Sequence, residues 1–298
     1  MRILVTGAAG MLGTSLVPVL RANDHSVLAT DINTSDPNIE RLDVRLIADV
    51  MRFAEKFRPE IIMHLAAETD LETCEQRRDY AYQENFIGTQ NACVACRHLG
   101  IPITYISTAG VFDGMKTEPY TEFDEPNPIN VYGASKFEGE RVVRDTIPEH
   151  YIVRAGWMVG GGEKDKKFVS KIIAQLDRGA KTLHAVNDRF GTPTYAPAFS
   201  KVLEKLTRTR YYGTYHLACK GKASRLDVAA EILKVLGRDE VELKAVTSDF
   251  FREEYFAPRP RSEEMLNYVL ELRGMNEMPL WKTALEEYLK KFFREKFK

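Results

Sequence analysis

The sequence predicts an α/β fold: a Rossmann-like, doubly wound parallel sheet with a smaller C-terminal α/β substrate-binding region. Three observations carry this expectation. A glycine triplet follows the first apolar run, short apolar runs then alternate with helical periodicity through the first half, and an acidic residue closes the second run. Alternation of this kind buries a parallel sheet between two layers of helices, with ligands at the carboxyl ends of the strands.

Ile3, Leu4 and Val5 suffice for one buried strand. Gly7, Gly10 and Gly13 follow at spacing three, after which Leu12, Leu16, Val17 and Leu20 recur at helical spacing. The order strand, glycine turn, helix aims a helix N-terminus, with free N–H groups and the positive end of its dipole, at whatever lies above the turn. A pyrophosphate suits that place. The triplet is one residue longer between its first glycines than Gly-x-Gly-x-x-Gly. A second strand over 26–30 ends in Asp31, about twenty residues past the glycines, where an acid binds the ribose hydroxyls of a dinucleotide.

Further strands are expected over 61–65, 103–107 and 151–154, with helices over 48–57, 79–99 and 132–145. Gly100 and Pro102 stop the second of these helices. Gly7, Asp31, Ala66, Ala67 and Thr108 all fall just after strands, where ligands bind. The second half predicts helices over 168–176, 226–236 and 281–293 and strands over 183–186 and 214–218. Ala-Pro-Arg-Pro-Arg at 257–261 reads as a rigid loop. With no repeats and no low-complexity linker, the expected division is a dinucleotide-binding domain over 1–155, to which 187–220 returns. A substrate-binding region of 156–186 plus 221–298 folds against it, leaving a cleft.

The 298 residues fit one large α/β unit or two modest domains, and 44% hydrophobic with 29% charged residues is ordinary for a globular protein. A formal net charge of −1 gives no basic field for nucleic acid or an acidic membrane. No apolar stretch approaches membrane-spanning length, and the N-terminus runs straight into a strand without a secretion signal. Cys93 and Cys96 form a C-x-x-C inside a helical stretch, while Cys74 and Cys219 are isolated. No second pair stands at ligand spacing, so no metal is expected and the cysteines read as packing residues in a reducing cytoplasm.

Tyr132 and Lys136 stand four apart in Val-Tyr-Gly-Ala-Ser-Lys, on one face of a helix. A free phenol has a pKa of about 10. A neighbouring ammonium stabilises the phenolate and lowers that value, which makes such a pair a suitable general acid toward an oxygen. Ser107 or Thr108, at a strand end, can donate a hydrogen bond to a substrate carbonyl and turn it toward Tyr132.

Gly7-x-x-Gly10-x-x-Gly13, Asp31, His64-Leu-Ala-Ala67, Thr108 and Tyr132-x-x-x-Lys136 together resemble the extended short-chain dehydrogenase/reductases. More narrowly, Arg154-Ala-Gly-Trp157, the run from Asn187 to Pro197 (with Asp188, Gly191, Pro193 and Thr194), Gly213-Thr-Tyr-His-Leu-Ala218 and Ala257-Pro-Arg-Pro260 resemble the dTDP-4-dehydrorhamnose reductases over nearly the whole length. The resemblance implies hydride transfer from NAD(H) or NADP(H) to the C4 ketone of a nucleotide-linked 6-deoxy sugar. Tyr132 would protonate the alkoxide, Lys136 would hold the nicotinamide ribose and depress the tyrosine pKa, and Thr108 would bind the carbonyl oxygen. Cofactor contacts would come from Gly7, Ala9, Gly10, Met11, Leu12, Gly13, Asp31, Asp43, Val44, Leu65, Ala66 and Ala67. Trp157 would lie against the sugar, Asp188, Gly191, Pro193 and Thr194 would shape the nucleotide-sugar end, and Arg259 would face the diphosphate. A homodimer is a common assembly for such folds.

The chain departs from the family after the threonine. Ala109 and Gly110 stand where the reductases commonly have Asp-Tyr and the sugar-nucleotide dehydratases an Asp-Glu acid–base pair. This argues against dehydration and leaves the sugar and its base open. A sugar-nucleotide epimerase, and a regulatory subunit like the methionine adenosyltransferase β subunit, stay as alternatives. Asp31 favours NADH, since its carboxylate would repel a 2′-phosphate. Ile32 and Asn33 follow it, with Arg41 the nearest candidate phosphate partner.

Overall fold

The computed structural model describes residues 1–162, 165, 167–293 and 295; positions 163, 164, 166, 294 and 296–298 of the expected C-terminal region lie outside the described residues. The first half runs β1 (Arg2–Thr6), α1 (Met11–Ala22), β2 (Ser26–Asp31), β3 (Glu40–Arg41), α2 (Ile47–Phe57), β4 (Ile61–His64), α3 (Leu71–Gln76), α4 (Arg78–Tyr82), α5 (Gly88–Leu99), β5 (Ile103–Thr108), α6 (Val131–Thr146) and β6 (His150–Ala155). The second runs β7 (Trp157–Val159), α7 (Phe168–Asp177), β8 (Thr182–Val186), β9 (Phe190–Gly191), β10 (Pro193–Tyr195), α8 (Ala196–Arg208), β11 (Gly213–Leu217), β12 (Ala223–Ser224), α9 (Arg225–Leu236), β13 (Glu242–Val246), β14 (Ser262–Glu263), α10 (Tyr268–Leu272) and α11 (Trp281–Phe292).

Seven strands form the main sheet in the order β3-β2-β1-β4-β5-β6-β11, every pair parallel. Ile3 and Val5 join one apolar core and Leu4 the other, so β1 is buried on both faces. That is why its sequence is a continuous apolar run rather than an alternation. The strand order reverses beside β1, which opens a crevice between the carboxyl ends of β1 and β4. β11 edges the main sheet next to β6. Among the described residues three small sheets form the rest: β7 with β10, β8 with β13, and β9 between β12 and β14.

Several short elements were not expected from the sequence, and two differences are larger. The single helix over 79–99 is α4 and α5 joined by a widened π turn, Gln83–Ile87. Asn85 sits in that turn and is buried. Its side chain accepts from Glu68 N at 2.8 Å and donates to Glu68 O at 3.0 Å and to Ser135 Oγ at 2.9 Å. The extra residue in the turn turns a polar side chain inward, toward α6. The second difference is α8, unexpected from the sequence, although Pro197 in its first turn is a helix-start signal.

Candidate active site

The crevice between β1 and β4 holds a cleft of about 360 Å³. Of the residues expected at a cofactor, Gly7, Ala9, Gly10, Asp31, Asp43, Val44, Leu65, Ala66 and Ala67 line it. Ile32, Asn33, Leu42, Glu68, Tyr80 and Glu84 also line it and were not anticipated. Met11, Leu12 and Gly13 form the first turn of α1 instead of the cleft lining. Gly7 has φ +71°, and a Cβ there would fall 2.5 Å from the Ala66 nitrogen. A Cβ on Gly13 would fall 2.4 Å from the Ala8 carbonyl oxygen. Only glycine allows this approach of turn, helix and neighbouring strand. The first turn of α1 has no side-chain cap and no acidic residue. A dinucleotide fits this cradle: its pyrophosphate would meet uncapped N–H groups at the positive end of a helix.

Asp31 is already engaged. Its Oδ2 accepts from Ala9 N at 2.9 Å and its Oδ1 from Asn33 N at 2.8 Å, so the carboxylate also pins the glycine turn to the end of β2. Arg41 pairs with it across β2 and β3. Asp43 is bidentate with Arg45, at 2.9 and 2.6 Å, and Arg45 also reaches Glu84 at 3.2 Å. The guanidinium holds the Asp43 carboxyl below the usual carboxylate range.

Thr108, Tyr132 and Lys136 lie beyond the next strand. Asn130 starts α6, its Oδ1 accepting from Gly133 N at 2.7 Å, and Glu75 accepts from Val131 N at 2.8 Å. α6 is fixed on β5 by a buried network. Glu140 accepts from Ser107 Oγ at 2.6 Å and from Arg154 Nε and Nη2 at 2.9 and 2.7 Å. Tyr105 Oη donates to the Lys136 carbonyl at 3.0 Å. Ser107 is thereby spent on Glu140, which leaves Thr108 as the strand-end hydroxyl for a substrate. Its Oγ1 accepts from Gly110 N at 3.0 Å, and its hydroxyl stands within hydrogen-bonding reach of the Tyr132 phenol.

The electrostatics correct one expectation. Burial pushes the Tyr132 phenol up to about 12, with the Thr108 hydroxyl working the other way. Lys136 is 3% exposed, and its Nζ lies 4.2 Å from the Tyr105 ring centroid. Burial brings its pKa down to about 7, against the pull of Glu140 and Cys74. Burial outweighs any lowering of the Tyr132 pKa by the neighbouring amine. His64, behind the cleft, bridges Thr6 and Thr89 and is held neutral by burial, its pKa lowered to about 3.

The substrate-side expectations divide. Trp157 is partly exposed, and its Nε1 donates to Glu263 Oε2 at 2.7 Å. The Arg225 guanidinium stacks 3.7 Å from its ring centroid, and burial lowers the Arg225 pKa only to about 10, so it stays charged at neutral pH. Gly191 acts through Trp157: a Cβ there would fall 2.3 Å from the indole. Pro193 and Thr194 are buried in β10, paired with Trp157 and Met158 of β7, so they position the indole's strand from behind. Asp188 accepts from Ser248 N and Oγ, at 2.9 and 3.0 Å, which ties down a turn. Arg259 donates to Glu72 at 2.7 Å. Glu263 and Arg225 escaped the sequence reading. Each follows a serine at the end of a two-residue strand or the start of a helix, with no motif to mark it. Cys93 and Cys96 are buried, unpaired packing residues whose thiols burial pushes up.

A dinucleotide cradle beside a tyrosine, lysine and threonine at the carboxyl edge of the sheet defines an oxidoreductase of the extended short-chain dehydrogenase/reductase type. The RmlD substrate binding domain matches residues 1–294, and the chain belongs to the dTDP-4-dehydrorhamnose reductase family. It is 33% identical over 288 residues to a dTDP-4-keto-6-deoxy-D-glucose reductase of Streptomyces niveus, covering 96% of each chain. Among solved structures, a dTDP-4-dehydrorhamnose reductase of Clostridium acetobutylicum is 36% identical with a TM-score of 0.90, over 98% of this chain and 99% of that one. One from Bacillus anthracis, in complex with NADP, is 34% identical with a TM-score of 0.87, over 97% and 99%. The protein is a nicotinamide-dependent sugar-nucleotide ketoreductase. Among the described residues no helix is long and apolar enough to cross a membrane.

Proposed function

We propose that the protein reduces the 4-keto group of a dTDP-linked 6-deoxy sugar, converting dTDP-4-dehydro-L-rhamnose to dTDP-L-rhamnose, with NADH preferred over NADPH. The observation that carries this reading is the Thr108 hydroxyl at the end of β5 within hydrogen-bonding reach of the half-buried Tyr132 phenol, next to the glycine cradle. Gly7, Gly10 and the first turn of α1 would hold the pyrophosphate, Asp31 the adenosine ribose, and Asp43 and Val44 the adenine end. A bound reduced nicotinamide supplies a hydride.

Thr108 donates to the carbonyl oxygen and orients it. Tyr132 gives its proton to that oxygen as negative charge develops there, and a phenol held protonated by burial is loaded for this step. Lys136 holds the nicotinamide ribose, and a ribose hydroxyl would give its Nζ the hydrogen-bond partner it has from no described residue. Trp157 packs against the sugar, and the N–H groups of Arg259 that Glu72 and the Ala257 carbonyl leave free meet the diphosphate. The Asp31 carboxylate supports NADH, while Arg41 beside it in register leaves NADPH usable.

The test is loss of reduced-nicotinamide absorbance with enzymatically generated dTDP-4-dehydro-L-rhamnose, NADH and NADPH compared separately. Tyr132→Phe should cut turnover by about 10²- to 10⁴-fold, the range for a lost general acid, with NADH binding kept. An active Tyr132→Phe variant would sink the assignment of the acid. One equivalent of cofactor consumed per product supports a reductase, and product without net consumption would mean an epimerase.

A further inference from the structure

Gly110 leaves a gap beside Thr108, and a carboxylate from the other wall faces it. An ideal Cβ on Gly110 would stand 3.4 Å from Thr108 Oγ1 and 3.7 Å from Glu263 Oε1. The two oxygens therefore border the same small space. Any larger residue at 110 would put its side chain between them.

Glu263 is held in place from behind. Its Oε2 takes the Trp157 indole N–H at 2.7 Å, and the indole is fixed by Gly191 on one side and the Arg225 guanidinium on the other. No described residue hydrogen-bonds Oε1, the oxygen turned to the gap. Burial raises the Glu263 pKa, while the Trp157 hydrogen bond and the charges of Arg225 and Arg259 oppose that rise. An oriented acceptor with one open oxygen is a recognition group for a donor.

The ligand chemistry follows from the pair. Thr108 donates to a carbonyl oxygen, and across the same small space Glu263 accepts from an O–H or N–H. A ketone with a hydroxyl on the adjacent carbon presents both. In a 6-deoxy 4-ketose the carbons flanking the carbonyl bear a hydroxyl at C3 and a methyl at C5. A carboxylate selects the hydroxyl. We infer that Glu263 reads the hydroxyl next to the reacting carbonyl, so that the enzyme accepts α-hydroxy ketoses and rejects 3-deoxy ones. This rests on the ketoreductase reading above and names its specificity residue.

The experiment compares kcat/KM for dTDP-4-dehydro-L-rhamnose and its 3-deoxy counterpart in the wild type, Glu263→Gln and Glu263→Ala. Binding of NADH alone, read by nicotinamide fluorescence, reports folding, because Glu263 lies outside the cofactor cleft. The wild type should prefer the hydroxylated sugar by about 10- to 100-fold, the range of one hydrogen bond to a charged group. Both variants should lose most of that preference while keeping turnover of the 3-deoxy sugar. A lesser structural role, propping Trp157, would lower turnover of both sugars alike and leave the ratio intact; that result overturns the inference. So does a wild type indifferent to the C3 hydroxyl. A wild type that binds NADH yet reduces neither sugar sinks the ketoreductase reading itself, and this inference with it.

Discussion

Glu140→Gln tests the network that fixes the catalytic helix to the sheet. Glu140 is 0% and Arg154 2% exposed, so neither charge has water to fall back on. The carboxylate takes the Arg154 Nε and Nη2 donors and the Ser107 hydroxyl, with Arg144 at 3.7 Å; among the described residues Arg154 otherwise meets the His216 ring nitrogen at 3.4 Å and the face of Phe112 at 5.1 Å. Replacing the carboxylate by an amide leaves a buried guanidinium without its counter-ion, which costs about 3–5 kcal/mol. An unfolding entropy of about 2.1 cal/mol/K per residue gives about 0.6 kcal/mol/K for a chain of this length, so Tm should fall by about 5–8 °C. Calorimetry at pH 7.5 reads this directly. Adding Arg154→Met to Glu140→Gln should recover much of the loss, since it is the orphaned charge that is expensive. A single variant within about 2 °C of wild type, or a double variant no better than the single, would refute the reasoning.

Two further outcomes follow from the site. Gly7→Ala puts a methyl 2.5 Å from the Ala66 nitrogen at a φ of +71°. It should weaken NADH binding by at least about tenfold, and titration by nicotinamide fluorescence checks this. Lys136 is pushed from 10.5 down to about 7, so the unfolded chain binds more protons than the native one between those values. The burden of the buried amine is full below pH 7 and is relieved as pH rises toward 10.5. Lys136→Met should therefore be more stable than wild type at pH 7, with the gap in urea-unfolding free energy closing by pH 10; a constant gap would contradict the assignment.

The parallel sheet was readable because buried strands such as Ile3–Val5 are unbroken apolar runs and the intervening helices keep their period. The cofactor cradle was readable because glycines at fixed spacing answer to one local geometry. What was not readable depends on distance in sequence. Glu263 and Arg225 reach Trp157 only when β14 and the start of α9 fold over it, and strands of two residues carry no periodicity. Pro193, Thr194 and Asp188 belong to a recognisable run, in which the first two are buried in β10 and the third is hydrogen-bonded to Ser248. Nothing in the one-dimensional pattern separates a residue that touches a ligand from one that supports its neighbour. The choice between Ser107 and Thr108 likewise needed the third dimension: Glu140, on another element, claims the serine.

The placement of β11 at the edge of the main sheet stitches the two halves together more than once. The chain leaves the sheet after Ala155, returns at Gly213, and leaves again after Leu217. A lobe hung from a single linker can swing as a body; one sewn in at three crossings must adjust through its loops. A fragment ending at residue 155 would strip β6 of its outer neighbour and present a buried, apolar strand with a row of unpaired amides, the template on which chains aggregate. Residues 1–155 therefore lack one strand of the main sheet, and transplanting that sheet whole means carrying residues 213–217 along.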